Sequence, residues 1–304
     1  MKLINNILIT SFLIYISVSP LHAIDKNDSR ENDFKKNKEK PSAAITIKTD
    51  ISYLNDTNPK HTLDIYFPPE QNHLSPVLVH IHGGGWKIGD KKMMKNTGIF
   101  YASKGILFIT PNYGLSPAVQ HPAHIEDCAA ALAWVFKHVI ELGGDKKRIF
   151  LSGHSAGAHL AALLGTNKKY LNKYNIKPQN LAGVIPVDTA SFNLLSENNE
   201  RLVKRFIKQA FGIDEVILKE ASPFYNVTEK MDCPWFLILN TTNRKNAAKG
   251  GKDFAVKLKN AGCNAFFIPV NNHTHKEMAI GMYDESDPVA KAVLDFILHK
   301  REDN

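Results

Sequence analysis

The pentapeptide Gly-His-Ser-Ala-Gly at residues 153–157 constrains this chain more than any other stretch. It follows residues 148–152, a short apolar and β-branched run that is typical of a buried strand. It leads into residues 156–164, which are small and helix-forming. A strand, this pentapeptide and a helix in succession predict a strained turn for which the glycines leave room. Such a turn lifts the Oγ atom of Ser155 clear of a sheet, which makes Ser155 a candidate nucleophile.

Apolar strands and helices alternate on both sides of this turn. Buried strands are predicted at residues 76–81, 106–110, 183–188, 235–239 and 265–268, and helices at residues 124–142, 251–261 and 288–299, the last with Asp287 as its N-cap. Residues 44–48 and 61–67 alternate with period two, as half-buried antiparallel edge strands do. Repeated strand–helix alternation predicts one α/β domain with a mostly parallel central sheet that helices cover on both faces.

The N-terminal stretch has the composition of an export signal. Residues 1–23 combine a positive Lys2, an apolar run at residues 7–18 and a small residue, Ala23, that suits cleavage. The alternative is an uncleaved membrane anchor, but the apolar run is at the short end for spanning a bilayer. We therefore predict an exported protein, periplasmic or secreted, without stable membrane insertion after cleavage. Residues 24–42 are polar and predicted to be a disordered linker, and residues 43–304 the folded domain.

Charge and cysteine content exclude some partners. The net charge is +8, but the lysines are scattered, and no basic block interleaved with aromatic residues predicts nucleic-acid binding. The three cysteines, Cys128, Cys233 and Cys263, are an odd number at unrelated spacings. This argues against a metal site and against a disulfide framework. In an oxidising compartment at least one thiol would stay free or pair between chains.

A second glycine-rich stretch, His-Gly-Gly-Gly-Trp at residues 82–86, directly follows the predicted strand at residues 76–81. Where side chains are missing, a carbonyl oxygen can approach backbone amides closely. The amide of Ala156 opens the helix after Ser155 and shares the positive end of its dipole. Acyl transfer requires a nucleophile, a base and donors aimed at a developing oxyanion. The two glycine motifs offer the nucleophile and the oxyanion donors.

Together the two motifs resemble the α/β-hydrolase superfamily. More narrowly, they are similar to its esterase/lipase branch, which includes hormone-sensitive-lipase-like and feruloyl-esterase-like enzymes and kynurenine formamidases. The resemblance covers residues 45–300 and extends to Asn112 and Tyr113, although Gly114 replaces the usual arginine. It implies an α/β-hydrolase fold, no metal ion or organic cofactor, and oxyanion donors at Gly84, Gly85 and Ala156.

The resemblance places the catalytic base after the last strand, where the chain has two histidines, His273 and His275. Related esterases often have a histidine followed two residues later by glutamate and then an apolar residue, which matches His275, Glu277 and Met278. The spacing from the strand at residues 265–268 suits His273 instead. We predict that His275 is the base and keep His273 as the alternative.

The third member of the triad departs from the family pattern. The family places an aspartate after the preceding strand, where this chain has Asn243. An asparagine can orient an imidazole but cannot stabilise the imidazolium by charge. Three outcomes stay open: a weaker triad that uses Asn243, a carboxylate supplied by Asp253 or Asp188, or loss of catalysis.

An insertion at residues 191–229 interrupts the alternation, and the resemblance implies that it is a small lid. Its basic residues lie at helical spacing and predict either a solvated face or a rim for an acidic substrate or an anionic lipid surface; they are Arg201, Lys204, Arg205 and Lys208. Its aromatic residues are predicted to pack the lid; they are Phe206, Phe211, Phe224 and Tyr225.

The resemblance implies a serine hydrolase that cleaves small carboxylic esters through an acyl-enzyme on Ser155. One alternative is amide hydrolysis of the arylformamidase type. A second is a catalytically silent hydrolase fold that serves as a binding module, which the asparagine at position 243 favours. A third is a lipase that acts at membranes, which would need an apolar face on the lid.

Overall fold

An eight-stranded sheet runs through the computed structural model, which describes residues 44–69 and 72–298. Its spatial order is β1-β2-β4-β3-β5-β6-β7-β8. The strands are β1 (Thr46–Ser52), β2 (Thr62–Phe67), β3 (Ser75–Ile81), β4 (Leu107–Pro111), β5 (Gly144–His154), β6 (Gly183–Val187), β7 (Trp235–Thr241) and β8 (Ala265–Val270). The strands from β4 through β3 to β8 pair in parallel, whereas β1 pairs with β2, and β2 with β4, antiparallel. The loops after β3, β5, β6, β7 and β8 therefore leave the same edge of the sheet.

The prediction of two edge strands is correct for β1 and wrong for β2. Strand β2 lies between β1 and β4 and is buried along most of its length. Its polar alternation is misleading because Asp64 is buried, with its Oδ1 atom 2.6 Å from the Nζ atom of Lys91, which is buried too. The alternating pattern suggested that Asp64 faces solvent, whereas the structure buries it in an ion pair with Lys91.

Helices cover both faces of the sheet. One core packs α2, α3 and α8 against it, and a second core on the opposite face contains residues of α1 and α10. The helices are α1 (Lys95–Ser103), α2 (Ala123–His138), α3 (Ala156–Thr166), α4 (Lys168–Asn172), α5 (Arg201–Phe211), α6 (Glu215–Glu220), α7 (Pro223–Asn226), α8 (Lys245–Asn260), α9 (His275–Ile280) and α10 (Pro288–Leu298). This architecture confirms the predicted α/β-hydrolase fold. Asp287 caps α10 as predicted, since its Oδ1 atom accepts a hydrogen bond from the amide of Val289 at 2.8 Å.

The insertion between β6 and β7 carries the three helices α5, α6 and α7. The predicted signal at residues 1–23 and the linker at residues 24–42 lie outside the described residues. No helix within residues 44–69 and 72–298 has the length and apolar character needed to cross a membrane.

The cysteines correct one expectation. Cys233 and Cys263 form a disulfide, while Cys128 is a buried free thiol. Cys233 lies just before β7, and Cys263 lies between α8 and β8. Because the amide of Phe236 donates to the carbonyl oxygen of Asn264 at 2.8 Å, these two segments run side by side. The pairing depends on the register of β7 and β8, which spacing along the chain does not reveal.

Candidate active site

Ser155 occupies the strained turn that the sequence predicts. It lies between β5 and α3 with φ 58° and ψ −117°, in a region that non-glycine residues rarely adopt. The turn fits tightly against the end of β3, since a Cβ atom at Gly157 would lie 2.1 Å from the carbonyl oxygen of Ile81. The amide of Ser155 donates to the carbonyl oxygen of Val187 at 3.0 Å, which ties the turn to the end of β6. The surrounding strands thus hold Ser155 in its strained conformation.

The glycine loop after β3 lies beside this serine. A Cβ atom at Gly83 would lie 3.2 Å from the Cβ atom of Ser155, so the loop approaches as closely as glycine allows. Gly84 has φ 117°, which side-chain-bearing residues avoid. Within the described chain, the amides of Gly84, Gly85 and Ala156 donate no hydrogen bond to another residue. These amides are available to an oxygen atom placed near Ser155.

His275 is the histidine that faces Ser155. Its Nε2 atom lies 2.9 Å from the Oγ atom of Ser155, and its Nδ1 atom lies 2.5 Å from the Oδ2 atom of Asp188. One tautomer satisfies both contacts, with Nδ1–H donating to Asp188 and Nε2 accepting from the serine hydroxyl. His275 is the first residue of α9, whose start is fixed by a capping box between Thr274 and Glu277.

His273, the alternative base, is engaged elsewhere. Its Nε2 atom lies 2.8 Å from the Oδ2 atom of Asp287, and its Nδ1 atom lies 2.8 Å from the carbonyl oxygen of Asn271. The hydrogen bond with Asp287 is the main reason why the pKa of His273 is raised above its ordinary value of 6.5. The motif around His275 therefore identified the histidine beside Ser155, whereas spacing from the strand pointed to the other one.

The carboxylate that contacts His275 belongs to Asp188, which follows β6. It does not come from position 243, which follows β7. Asp188 is fully buried, and burial raises its pKa, but the hydrogen bond with His275 and the charge of Arg244 bring it below 3.8 overall. Its Oδ1 atom accepts hydrogen bonds from the side chain of Asn240 at 3.3 Å and from the amide of Thr241 at 3.2 Å. The carboxylate therefore stays ionised while it contacts the imidazole.

The other two candidates for the acid lie away from the imidazole. Asn243 is exposed, and its backbone amide donates to the hydroxyl of Thr241 at 3.2 Å. Asp253 pairs with Lys249 on the surface of α8, with 2.5 Å between Oδ2 and Nζ. The expected acid position at Asn243 is thus corrected to Asp188. In the sequence, the only pointer to Asp188 is its place at the end of a predicted strand that neighbours the strand of Ser155.

Two further side chains of the site were not predicted from the sequence. Arg244 places its Nη1 atom 3.1 Å from the Oδ2 atom of Asp188 and 3.0 Å from the Nδ1 atom of His275. The Nε2 atom of His154 lies 2.9 Å from the backbone oxygen of His275. Desolvation, with the neighbouring His275, lowers the pKa of His154 to about 4, so His154 is neutral at pH 7 and donates through Nε2–H.

The side chains of His154, Asp188 and His275 also form a group that could hold a metal ion, since their ligand atoms all lie within 4.8 Å of one another. Both ring nitrogens of His275 already contact Ser155 and Asp188. A cation bound there would displace these contacts. Metal binding at this position would therefore disrupt the contacts of His275 with Ser155 and Asp188.

The insertion reaches the glycine loop through α5. A Cβ atom at Gly85 would lie 2.9 Å from the ring of Phe206, so this ring lies against the loop beside Ser155. The basic residues of α5 predicted from the sequence, Arg201, Lys204, Arg205 and Lys208, are all exposed. The side chain of His275 is 38% exposed. Solvent can therefore reach the imidazole directly.

The comparisons with known proteins agree with this fold. The family model described as BD-FAE matches residues 63–246. Esterase LipQ of Mycobacterium tuberculosis (strain ATCC 25618 / H37Rv) is 27% identical over 252 residues, which are 78% of this chain and 59% of that protein. The chain thus spans less than two thirds of the length of this relative.

Two solved structures have the same fold at low identity. A truncated carbohydrate esterase from gut microbiota has a TM-score of 0.69 and 22% identity, covering 86% of this chain and 98% of that one. Esterase B from Lactobacillus rhamnosis, in a structure inhibited with a tributyrin phosphonate, has a TM-score of 0.64 and 21% identity. The match covers 75% of this chain and 74% of that one. The chain belongs to the BD-FAE family, within the esterase/lipase branch of the α/β-hydrolases that its motifs predicted.

Proposed function

We propose that this protein hydrolyses carboxylic esters through an acyl-enzyme on Ser155. The observation that carries the proposal is the continuous contact from the Oγ atom of Ser155 through His275 to the buried carboxylate of Asp188, at 2.9 Å and 2.5 Å. A nucleophile, a base and an orienting acid in this order are the arrangement that activates a serine hydroxyl.

The reaction follows from these positions. The Oγ atom of Ser155 attacks the acyl carbon while Nε2 of His275 takes the hydroxyl proton, and Asp188 stabilises the imidazolium that forms. The amides of Gly84, Gly85 and Ala156 stabilise the oxyanion. His275 then gives its proton to the departing alcohol oxygen. In the second half, His275 takes a proton from water, whose oxygen attacks the acyl carbon. The bond between the acyl carbon and Oγ then breaks, His275 gives this proton to the Oγ atom of Ser155, and the carboxylic acid leaves.

Esters are favoured over the alternatives for two reasons. The relatives reported above are named as esterases. A silent hydrolase fold was favoured by the asparagine at position 243, and that argument weakens because Asp188 brings a buried carboxylate to the same imidazole. Amide hydrolysis of the arylformamidase type uses the same groups, so it is tested beside ester hydrolysis with an N-formyl aryl amine.

The test is the hydrolysis of p-nitrophenyl acetate and butyrate by the chain from residue 24 onward, with Ser155→Ala, His275→Ala and His273→Ala in parallel. We expect Ser155→Ala and His275→Ala to lose at least about a thousandfold in kcat, as triad variants do. His273→Ala should stay within about threefold of the parent, because its ring contacts Asp287.

A phosphonate ester provides the second readout, because it forms a bond with an activated serine without turnover. It should label the parent chain and leave Ser155→Ala unlabelled. Equal hydrolysis by the parent and Ser155→Ala would overturn the proposal. Absence of both hydrolysis and labelling in the folded parent would favour the binding-module alternative.

We further propose that the chain is exported. The predicted signal at residues 1–23 motivates this, and the disulfide between Cys233 and Cys263 supports it, because disulfides persist in oxidising compartments. Fractionation of expressing cells, with N-terminal sequencing of the mature chain, should find it outside the cytoplasm and beginning near residue 24. A cytoplasmic protein that retains residues 1–23 and has three free thiols would contradict export.

A further inference from the structure

We propose that Arg244 is a positioning residue of this site, in which its guanidinium holds the carboxylate of Asp188 toward His275 and connects it to the lid helix α5. This inference rests on the proposed function. Arg244 follows β7 and directly precedes α8. Arg244 is therefore adjacent to Asn243, the position where the family has an aspartate. This chain has an asparagine there and an arginine directly after it.

The guanidinium bridges two carboxylates. Its Nη1 atom lies 3.1 Å from the Oδ2 atom of Asp188, and its Nε atom lies 3.1 Å from the Oε1 atom of Glu200. The side chain of Arg244 is only 16% exposed, whereas that of Glu200 is 47% exposed. A planar fork can serve two acceptors in different directions at once, which the single ammonium group of a lysine does less well.

Asp188 needs such a partner because it is fully buried. The donors to its Oδ1 atom, from Asn240 and Thr241, are neutral and lie at 3.3 and 3.2 Å. Among the described residues, Arg244 is the permanent cation in contact with this carboxylate, at 3.1 Å, and its charge compensates that of Asp188. Without Arg244, burial would favour protonation of Asp188 or its rotation away from the imidazole.

The same guanidinium also contacts the imidazole. The Nη1 atom of Arg244 lies 3.0 Å from the Nδ1 atom of His275 and 3.1 Å from the Oδ2 atom of Asp188. Arg244 therefore touches the acid and the base of the site at once and holds the carboxylate beside the imidazole.

Glu200 connects Arg244 to the lid helix α5. Glu200 is the N-cap residue of α5, the helix whose Phe206 ring lies against the glycine loop. Its side chain makes no capping bond to that helix and points to Arg244 instead. The start of the lid helix and the acid of the triad thus share one guanidinium.

The experiment measures kcat and KM for p-nitrophenyl butyrate from pH 5 to 9 in the parent chain and in Arg244→Gln, Arg244→Lys and Glu200→Gln. Lys249→Gln is the matched control, since it removes one positive charge from an exposed position on α8. For Arg244→Gln we expect kcat to fall about 10- to 100-fold with KM within about threefold.

The two other variants separate charge from geometry. Arg244→Lys should lose only part of kcat, because it retains the charge but not the planar fork that serves both carboxylates. Glu200→Gln should reduce kcat no more than about fivefold, since the contact with Asp188 remains. Lys249→Gln should match the parent in both parameters. If Arg244→Gln fails to fold, as shown by its thermal transition, Arg244→Lys carries the test through its kcat.

The inference would be overturned by an Arg244→Gln variant whose kcat equals that of the parent across this pH range, or whose only change is a lower Tm. In that case Asp188→Asn and Ser155→Ala would still abolish hydrolysis, and the proposed function would stand. If Ser155→Ala hydrolyses the ester like the parent, the proposed function fails, whatever Arg244 does.

Discussion

Two histidines stand two residues apart after β8, and each contacts an aspartate. His275 reaches Asp188 at 2.5 Å, and His273 reaches Asp287 at 2.8 Å. The first aspartate is fully buried at the end of β6, while the second is partly exposed and caps α10. The second nitrogen of His275 meets the hydroxyl of Ser155, whereas that of His273 meets the carbonyl oxygen of Asn271.

The comparison shows that a histidine–carboxylate contact does not by itself define a catalytic pair. What distinguishes His275 is the strained serine at its other nitrogen and the burial of its acid, which strengthens the electrostatic interaction. The pair of His273 and Asp287 instead connects the loop after β8 to the start of α10. The proposed function assigns proton transfer to the pair of His275 and Asp188 and leaves a structural role to the pair of His273 and Asp287.

The largest expected effect comes from neutralising the two acids in turn. Asp188→Asn should lower kcat about ten-thousandfold, because the imidazolium loses its counter-charge and its tautomer is no longer fixed. Asp287→Asn should stay within about threefold, since asparagine also caps helices and His273 does not contact Ser155. Ester hydrolysis of the two variants, each checked for a native thermal transition, measures this. Similar losses of kcat in both variants would contradict the assignment of different roles to the two histidine–aspartate pairs.

An intermediate effect is expected from moving the acid to the family position. In Asp188→Asn/Asn243→Asp, we expect less than about tenfold recovery over Asp188→Asn, because position 243 is exposed and makes no hydrogen bond to His275 among the described residues. The single variant Asn243→Asp serves as the control and should retain the activity of the parent. Full recovery in the double variant would mean that the loop after β7 can reach the imidazole.

The smallest effect is a dependence of stability on pH. Because the pKa of folded His273 is raised, mainly by the hydrogen bond with Asp287, its contribution is fully present below pH 6.5 and is lost as pH rises through the raised pKa. His273→Gln should therefore lower Tm by about 2–4 °C at pH 6 and by less at pH 9. Thermal unfolding followed by circular dichroism checks this, with Asp287→Asn expected to behave alike. A Tm difference that grows with pH would contradict the role of this pair.

The sequence alone determined those features that depend on neighbours along the chain. The strained turn at Ser155, the glycine loop at Gly84 and Gly85 and the helix start at Ala156 are local, because the residues that form them are consecutive. The alternation of strands and helices predicted the fold class, since continuous apolar runs require a sheet covered on both faces. The motif around His275 is local too, since its glutamate closes the capping box of α9, and it pointed to the histidine that contacts Ser155.

The tertiary structure alone decided what depends on how the strands lie side by side. The sequence offered Asn243 at the family position, with Asp253 or Asp188 as the alternatives. Of these three, the arrangement of β6 and β7 brings Asp188 to the imidazole. The same holds for the disulfide between Cys233 and Cys263 and for Arg244, which joins the loops after β6 and β7 to the start of α5. Parallel strands bring their carboxyl ends to one edge whatever lies between them in the chain. Contacts across that edge depend on register and side-chain reach, which residue spacing does not encode.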